Sequence, residues 1–135
     1  MAYVSQDDKA KLAVGVKAVL KKYGMSGTIS VRHHSTLVVT IKSGKLDMIS
    51  NYNKVAKANY RGHFDFHEAE GSIDVNTHWF HQHFDGECKK FLEELINAMK
   101  GADYFDDSDS QTDYFACSHY YDVRVGKWDK AYQVV

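Results

Sequence analysis

A run of imidazole and carboxylate side chains stands near the middle of the chain, and both groups are common ligands of divalent metal ions. If the segment from residue 77 is helical, His78 and His81 share a face, and Asp85 or a later acidic loop could complete a site. The ion would activate water, so one alternative function is a metal-assisted hydrolase or nuclease. The spacing matches neither His-Glu-x-x-His nor a zinc finger. The competing interpretation is that these histidines and Trp79 line a partly exposed surface.

A second set of carboxylates follows toward the C-terminus, in the order Asp-Asp-Ser-Asp-Ser-Gln-Thr-Asp over residues 106–113. Alternating carboxylates surround the cation in calcium-binding loops. The turn glycine and the closing glutamate of such a loop are missing here. The alternative is a solvated turn in which Ser108 and Ser110 bond to the backbone.

Aromatic side chains accumulate in the same C-terminal part of the chain. Neighbours in a strand face opposite sides, so one member of the Tyr120 and Tyr121 pair should be exposed. Exposed rings near a basic residue such as Arg124 or Lys127 stack on bases or anchor a protein partner, whereas packing in a small core is the alternative. The predicted contact surface combines these rings with the acidic loop and consists of Tyr104, Tyr114, Tyr120, Tyr121, Trp128, Asp107, Asp109 and Asp113.

Positive and negative charges are balanced, with 17 basic and 18 acidic residues and a formal net charge of −1. No overall field therefore draws the protein to nucleic acid or to an anionic membrane. Binding of nucleic acid would need a local patch, for which the candidates are Lys17, Lys21, Lys22, Arg32 and Lys42. This second alternative function is not favoured by the net charge.

The two cysteines, Cys88 and Cys117, are far apart and form no Cys-x-x-Cys motif, which predicts neither a disulfide framework nor a zinc clip. Cys117 lies near His119, but the pattern offers no third group to orient that histidine for catalysis. No apolar run approaches the ~18 residues of a membrane helix, and the N-terminal residues do not match a signal peptide. We therefore expect a reducing, cytosolic setting.

Helical periodicity predicts two strong helices and a weaker one. Ser5 and Asp8 form a capping-box pattern at the start of the first helix, which should end at Gly24. The weaker helix covers residues 46–56. The second strong helix runs from Asp85 to Gly101, and its apolar stripe consists of Cys88, Phe91, Leu92, Leu95, Ile96 and Met99.

Alternating apolar and polar residues predict three hairpins, formed by residues 28–32 with 37–41, 63–67 with 73–75, and 114–117 with 121–125. A helix followed by a hairpin thus occurs twice. Two such units predict an α+β fold, a two-layer sandwich in which an antiparallel sheet carries the helices mainly on one face. The length of 135 residues, without a linker-like tract, predicts a single domain spanning 1–135.

Three stretches carry a resemblance to a known family: Val-Ser-Gln at 4–6, Ile-Ser-Val-Arg-His-His-Ser-Thr at 29–36, and Asp-Ser-Asp-Ser-Gln-Thr-Asp-Tyr-Phe at 107–115. The chain resembles small proteins of unassigned function encoded by bacteriophages, prophages and plasmids. Its N-terminal part is similar to the large polyvalent protein-associated domains of such elements. The resemblance implies a mobile-element protein in a bacterial cytoplasm and assigns no active-site residues.

The leading hypothesis is therefore a non-catalytic binding protein of a phage or mobile element. Small proteins of such elements often bind a host component, including defence machinery. A protein partner is expected, a divalent metal would be a cofactor only in the hydrolase alternative, and self-association stays open. No membrane partner is expected.

Overall fold

A computed structural model describes residues 4–62, 65–101 and 119–135 of the chain. In chain order, the elements of these ranges are α1 (Gln6–Lys22), β1 (Met25–Arg32), β2 (Thr36–Gly44), α2 (Met48–Asn59), β3 (Ile73–Val75), a short 3-10 helix (Phe80–Gln82), α3 (Gly86–Lys100), β4 (Tyr120–Val125) and β5 (Gln133–Val134). The fold is α+β, as predicted. No helix within the described ranges is long and apolar enough to cross a membrane.

Helix α1 begins at the predicted capping box. The Asp8 N–H donates to Ser5 Oγ at 3.0 Å, and the Ser5 N–H donates to Asp8 Oδ2 at 3.2 Å. Each bond satisfies a backbone donor that has no intrahelical partner. The helix ends at Lys22 with Tyr23 as its C-cap, and Gly24 then takes a φ of 66° that favours glycine.

The predicted hairpin of β1 and β2 is present. His33 and His34 make its tight turn with φ values of 54° and 59°, and the Ser35 N–H donates to the Arg32 carbonyl at 3.2 Å. Side chains of β1 alternate between a more buried and an exposed face, whereas β2 is buried on both faces from Thr36 through residue 41. Burial on both faces is expected of a central strand.

Within the described residues the sheet has five strands and is mixed, with the order β1-β2-β4-β3 and with β5 paired to β2. Strand β4 runs parallel to β2, with Val39 opposite Val123, so the prediction of an antiparallel sheet is wrong. Between these strands the chain passes through α2, β3 and α3, and a parallel neighbour requires such a long crossover. Turn residues in a sequence indicate hairpins between neighbouring strands, but they do not indicate pairing with a strand that is distant in the sequence.

Strand β3 also pairs differently from the prediction. It lies antiparallel to β4, with Ile73 opposite Val125, and not in a hairpin with residues 63–67. Residues 65–67 are in no strand, and 63–64 lie outside the described ranges. The strand at 114–117 that was expected to pair with 121–125 also falls outside them.

Helices α1 and α3 pack together and against the sheet, and their contact forms much of the core. The predicted apolar stripe of α3 is confirmed, since all six of its residues are buried. Phe91 meets Tyr23 edge-on with ring centroids 5.4 Å apart, and the exposed Lys22 and Glu94 form an ion pair at 2.6 Å between the two helices. Thr36 and Thr40 alternate with core residues of β2, so they lie on the opposite face of the sheet, where they too are buried.

Candidate functional site

The most exposed aromatic side chain among the described residues is Trp128, which is 92% exposed. It lies in a turn after β4 that is closed by two backbone hydrogen bonds. The Lys127 N–H donates to the Lys130 carbonyl at 2.9 Å, and the Lys130 N–H donates to the Lys127 carbonyl at 3.1 Å. A tryptophan buries about 150–250 Å² in cores and interfaces, so this ring offers a large apolar area to a partner.

Buried contacts on both sides anchor this turn. Before it, the Gly126 N–H donates to the Ile41 carbonyl at 2.8 Å. After it, the Tyr132 N–H donates to the Gly71 carbonyl at 2.8 Å, and the buried Tyr132 hydroxyl donates to the Leu46 carbonyl at 2.6 Å. Burial raises the pKa of the Tyr132 phenol, which keeps the hydroxyl protonated as a donor. The indole is therefore presented by a turn that is already ordered before a partner binds.

A cleft of about 420 Å³ lies beside the turn. Three lysines reach it from two parts of the chain, and hydroxyl groups add further hydrogen-bonding atoms; these side chains are Lys42, Lys127, Lys130, Ser26, Thr40 and Ser43. The described residues that line the cleft include no carboxylate. Clustered ammonium and hydroxyl groups suit an anionic ligand such as a phosphate.

A β-bulge places Lys42 beside the cleft. The register passes from Ser26 opposite Ser43 to Gly27 opposite Ile41, so Lys42 is an extra residue on its strand. Bulges of this kind redirect side chains at strand ends. A Cβ atom on Gly27 would come within 2.4 Å of the Thr40 carbonyl oxygen, so glycine permits the close approach of the two backbones.

Of the other predicted contact residues, the structure describes two, Tyr120 and Tyr121, and both lie away from Trp128. Tyr120 is 49% exposed at the start of β4, and Tyr121 packs on the core, so the two rings take opposite faces as the alternation predicts. Tyr120 and Trp128 are separated by the length of β4, about 20 Å for a six-residue strand. The predicted residues that lie outside the described ranges are Tyr104, Tyr114, Asp107, Asp109 and Asp113.

The predicted metal ligands have separate surroundings. The N–H groups of His78 and Trp79 both donate to Asn76 Oδ1 at 3.0 Å. Asp85 is held by Asn51, whose Nδ2 donates to Asp85 Oδ1 at 2.6 Å and whose Oδ1 accepts from the Asp85 N–H at 3.0 Å. In the part of the chain that the structure describes, His, Cys, Asp and Glu side chains, with His81 among them, form no group of three that could hold a metal.

The competing interpretation of the histidine segment matches its surroundings better. Trp79 is 54% exposed, and its ring lies 6.3 Å from that of the exposed His81. His83 packs edge-on against Tyr52 at 5.7 Å. Burial lowers the pKa of His83, so its neutral form is favoured at neutral pH. These rings thus behave as amphipathic side chains at the edge of the core.

The five basic residues suggested for nucleic-acid binding are separated by the fold. Arg32 pairs with Asp122 at 3.2 Å at the far end of β1, and Lys17 is exposed on α1. Lys21 and Lys22 line a second cleft of about 490 Å³, which also contains Glu87. Of the five, Lys42 alone lines the cleft beside Trp128.

Cysteine chemistry has little support in the described residues. Burial raises the pKa of the Cys88 thiol to about 11, which disfavours the nucleophilic thiolate. His119 is buried, and its Nε2 lies 2.7 Å from the Met99 carbonyl oxygen. Cys117 lies outside the described ranges.

The sequence pattern indicated Trp128 and Lys127 but not the cleft. Lys42 is distant from both in the chain, and the pairing of β2 with β4 and β5 brings them together. A signal was present in the Gly-Lys-Trp-Asp-Lys order of residues 126–130, which is typical of a tight turn after a strand. Its partner strand could not be identified from that signal.

Comparison with known proteins gives this site no precedent. The resemblance to proteins of bacteriophages, prophages and plasmids stays a prediction. No protein-family model, curated protein or solved structure matches the chain.

Proposed function

We propose that this chain is a non-catalytic binding protein whose contact surface is the turn of residues 127–130 together with the cleft beside it, here named the turn-cleft surface. The observation that carries the proposal is Trp128, 92% exposed on a turn that buried hydrogen bonds hold in place. Large exposed aromatic rings are frequent anchors of binding surfaces. An ordered turn also lowers the entropy cost of association.

The side chains of the cleft are suited to holding a ligand. The described lining supplies three amines, three hydroxyls and an amide. Such groups hold a ligand through charge and hydrogen bonds.

The resemblance to proteins of phages and other mobile elements supplies the setting of this proposal. In that setting the partner is a component of the bacterial cytoplasm, such as a host or defence component. A second copy of the chain, bound through the same surface, would also be a cytoplasmic protein partner. The proposal requires only that the partner contacts the turn-cleft surface.

Site-specific photo-crosslinking tests the proposal directly. Trp128 is replaced by the photoreactive p-benzoylphenylalanine, which keeps an aromatic ring at the position. Val14, which is 72% exposed on α1, is replaced in the same way as a matched control at another exposed apolar position. Both proteins are irradiated in bacterial lysate, and adducts are compared on gels and by mass spectrometry.

We expect discrete adducts from position 128 that are absent from position 14. An excess of unmodified protein should suppress them, whereas an excess of the Trp128→Ala variant should not, because the variant lacks the anchoring ring. Equal adducts from both positions, or equal suppression by both competitors, would contradict the proposal.

A further inference from the structure

We infer that the turn-cleft surface binds single-stranded nucleic acid, with phosphates held by Lys42, Lys127 and Lys130 and a base stacked on Trp128. This inference deepens the proposed function and rests on it. It goes beyond it by naming the chemical class of the partner. Two independent features support it, namely the charge of the cleft and the position of the indole.

The charge of the cleft departs from the balance of the whole chain. The protein has a formal net charge of −1, yet the described lining of the cleft contains three lysines and no carboxylate. With the exposed Asp129 of the turn included, these residues of the turn-cleft surface still have more positive than negative charges. Charges gathered around one cleft act together, because the Debye length at 0.1 M salt is about 10 Å. The hydroxyls of Ser26 and Thr40 add hydrogen-bond donors for phosphate oxygens.

The indole supplies the second half of the site. Trp128 stands between Lys127 and Lys130 in the same turn and is 92% exposed, although its ring does not itself line the cleft. A flexible strand whose phosphates reach these two lysines could therefore place an unpaired base on the exposed ring. Basic grooves with aromatic stacking platforms are the usual means of binding single strands. Duplex bases already stack on each other and leave no face for an outside indole. An acidic peptide would neutralise the lysines but would leave the indole without a flat partner.

A salt titration tests the phosphate contacts. Binding of a fluorescein-labelled oligothymidine of about 15 nucleotides is followed by fluorescence anisotropy between about 50 and 200 mM salt. Three phosphate contacts predict a slope of log K against log salt of about −2, since each contributes about −0.7 with single strands. Lys130→Ala should make the slope shallower by about 0.7. Lys54→Ala, at an exposed lysine of α2 outside the cleft lining, should leave it unchanged.

A second series of variants tests the stacking contact. Trp128→Ala should weaken binding about 5- to 150-fold without changing the salt slope, because stacking on one base contributes little that depends on ions. Trp128→Phe should recover part of the affinity, because phenylalanine retains a flat ring. Trp79→Ala is the matched control and should leave the affinity unchanged. Equal melting temperatures of the position-128 variants show that the fold is intact.

Several outcomes would overturn the inference. One is binding of the oligonucleotide that does not depend on salt. Another is an equal effect of Lys130→Ala and Lys54→Ala on the salt slope. A third is an affinity for duplex DNA equal to that for the single strand of the same length. Complete competition by inorganic phosphate at low millimolar concentration would assign the cleft to a small anion. Binding of polyglutamate but not of the oligonucleotide would assign it to an acidic protein.

The crosslinking experiment separates this inference from the proposed function. Adducts specific to position 128 that contain protein alone, with no oligonucleotide binding, would leave the proposed function standing and overturn the inference. Failure of both experiments would overturn both.

Discussion

At the scale of single residues, burial decides which reactive side chains are available. Cys88 illustrates this, because the sequence alone does not distinguish a buried thiol from an exposed nucleophile. The structure places it among the core residues of α3, where burial raises its pKa to about 11. Its thiol is therefore protonated at neutral pH.

We predict that Cys88 reacts with a disulfide reagent such as Ellman's reagent at least about a hundredfold more slowly in the folded protein than in denaturant at pH 8. The Cys117→Ser variant isolates the thiol of interest, and absorbance gives the rate. The Cys88 thiol ionises at a lower pH in the unfolded protein than in the folded protein. The stability that this difference in pKa contributes is therefore complete below about pH 8.5 and decreases as the pH rises toward 11. Equal rates in both states would show that the thiol is accessible.

Residue-scale predictions from the sequence succeeded where the controlling neighbours are close in the chain. The capping box of Ser5 and Asp8 depends on residues three positions apart, and it is confirmed. Lys42 was among the predicted nucleic-acid candidates, but its position beside Lys127 and Lys130 depends on a bulge and on distant strands and could not be predicted. The predicted metal ligands belong to no group of three potential ligands among the described residues. The prediction relied on a helical face, whereas Asp85 precedes α3 and residues 80–82 form only a short 3-10 turn.

At the scale of elements, the spacing between β1 and β2 is set by a glycine. Gly27 lies where a Cβ would approach the Thr40 carbonyl oxygen within 2.4 Å. Gly15 in α1 is the opposite case, because its Cβ would make an ordinary contact with Ala98 at 3.6 Å. The two glycines therefore predict opposite effects of the same substitution.

We expect Gly27→Ala to lower the free energy of unfolding by about 1–3 kcal/mol through overpacking of the two strands. Gly15→Ala should raise it by about 0.5–1 kcal/mol, because alanine has the higher helix propensity. Chemical denaturation of both variants alongside the parent protein measures the changes. Destabilisation by Gly15→Ala, or no change with Gly27→Ala, would contradict the described packing.

The predictions of elements also show which features a sequence pattern cannot predict. Helices α1 and α3 were predicted because amphipathic periodicity and terminal residues are local signals. The direction of β4 was not predicted. Its pairing with β2 depends on how the chain packs after the crossover through α3, and no local signal indicates this. The three-residue strand β3 was found, but its partner was assigned wrongly for the same reason.

At the scale of the whole molecule, the balanced net charge did not indicate that three lysines would gather around one cleft. The fold brings the end of β2 and the turn after β4 together, and the turn-cleft surface is formed there. The predicted contact surface and the proposed turn-cleft surface share Trp128. The predicted surface could not include Lys42, because that contact depends on the parallel pairing that the pattern did not reveal.

The fluorescence of Trp128 tests the central claim most directly. The chain has two tryptophans, so the Trp79→Phe variant leaves Trp128 as its only indole. Titration of this variant with unlabelled oligothymidine should quench the indole emission, because a stacked base contacts the ring. The midpoint should match the dissociation constant from anisotropy and should shift to higher concentration as salt is added. Saturating oligonucleotide that leaves the emission unchanged would contradict the claim that Trp128 and its neighbouring cleft form the binding site.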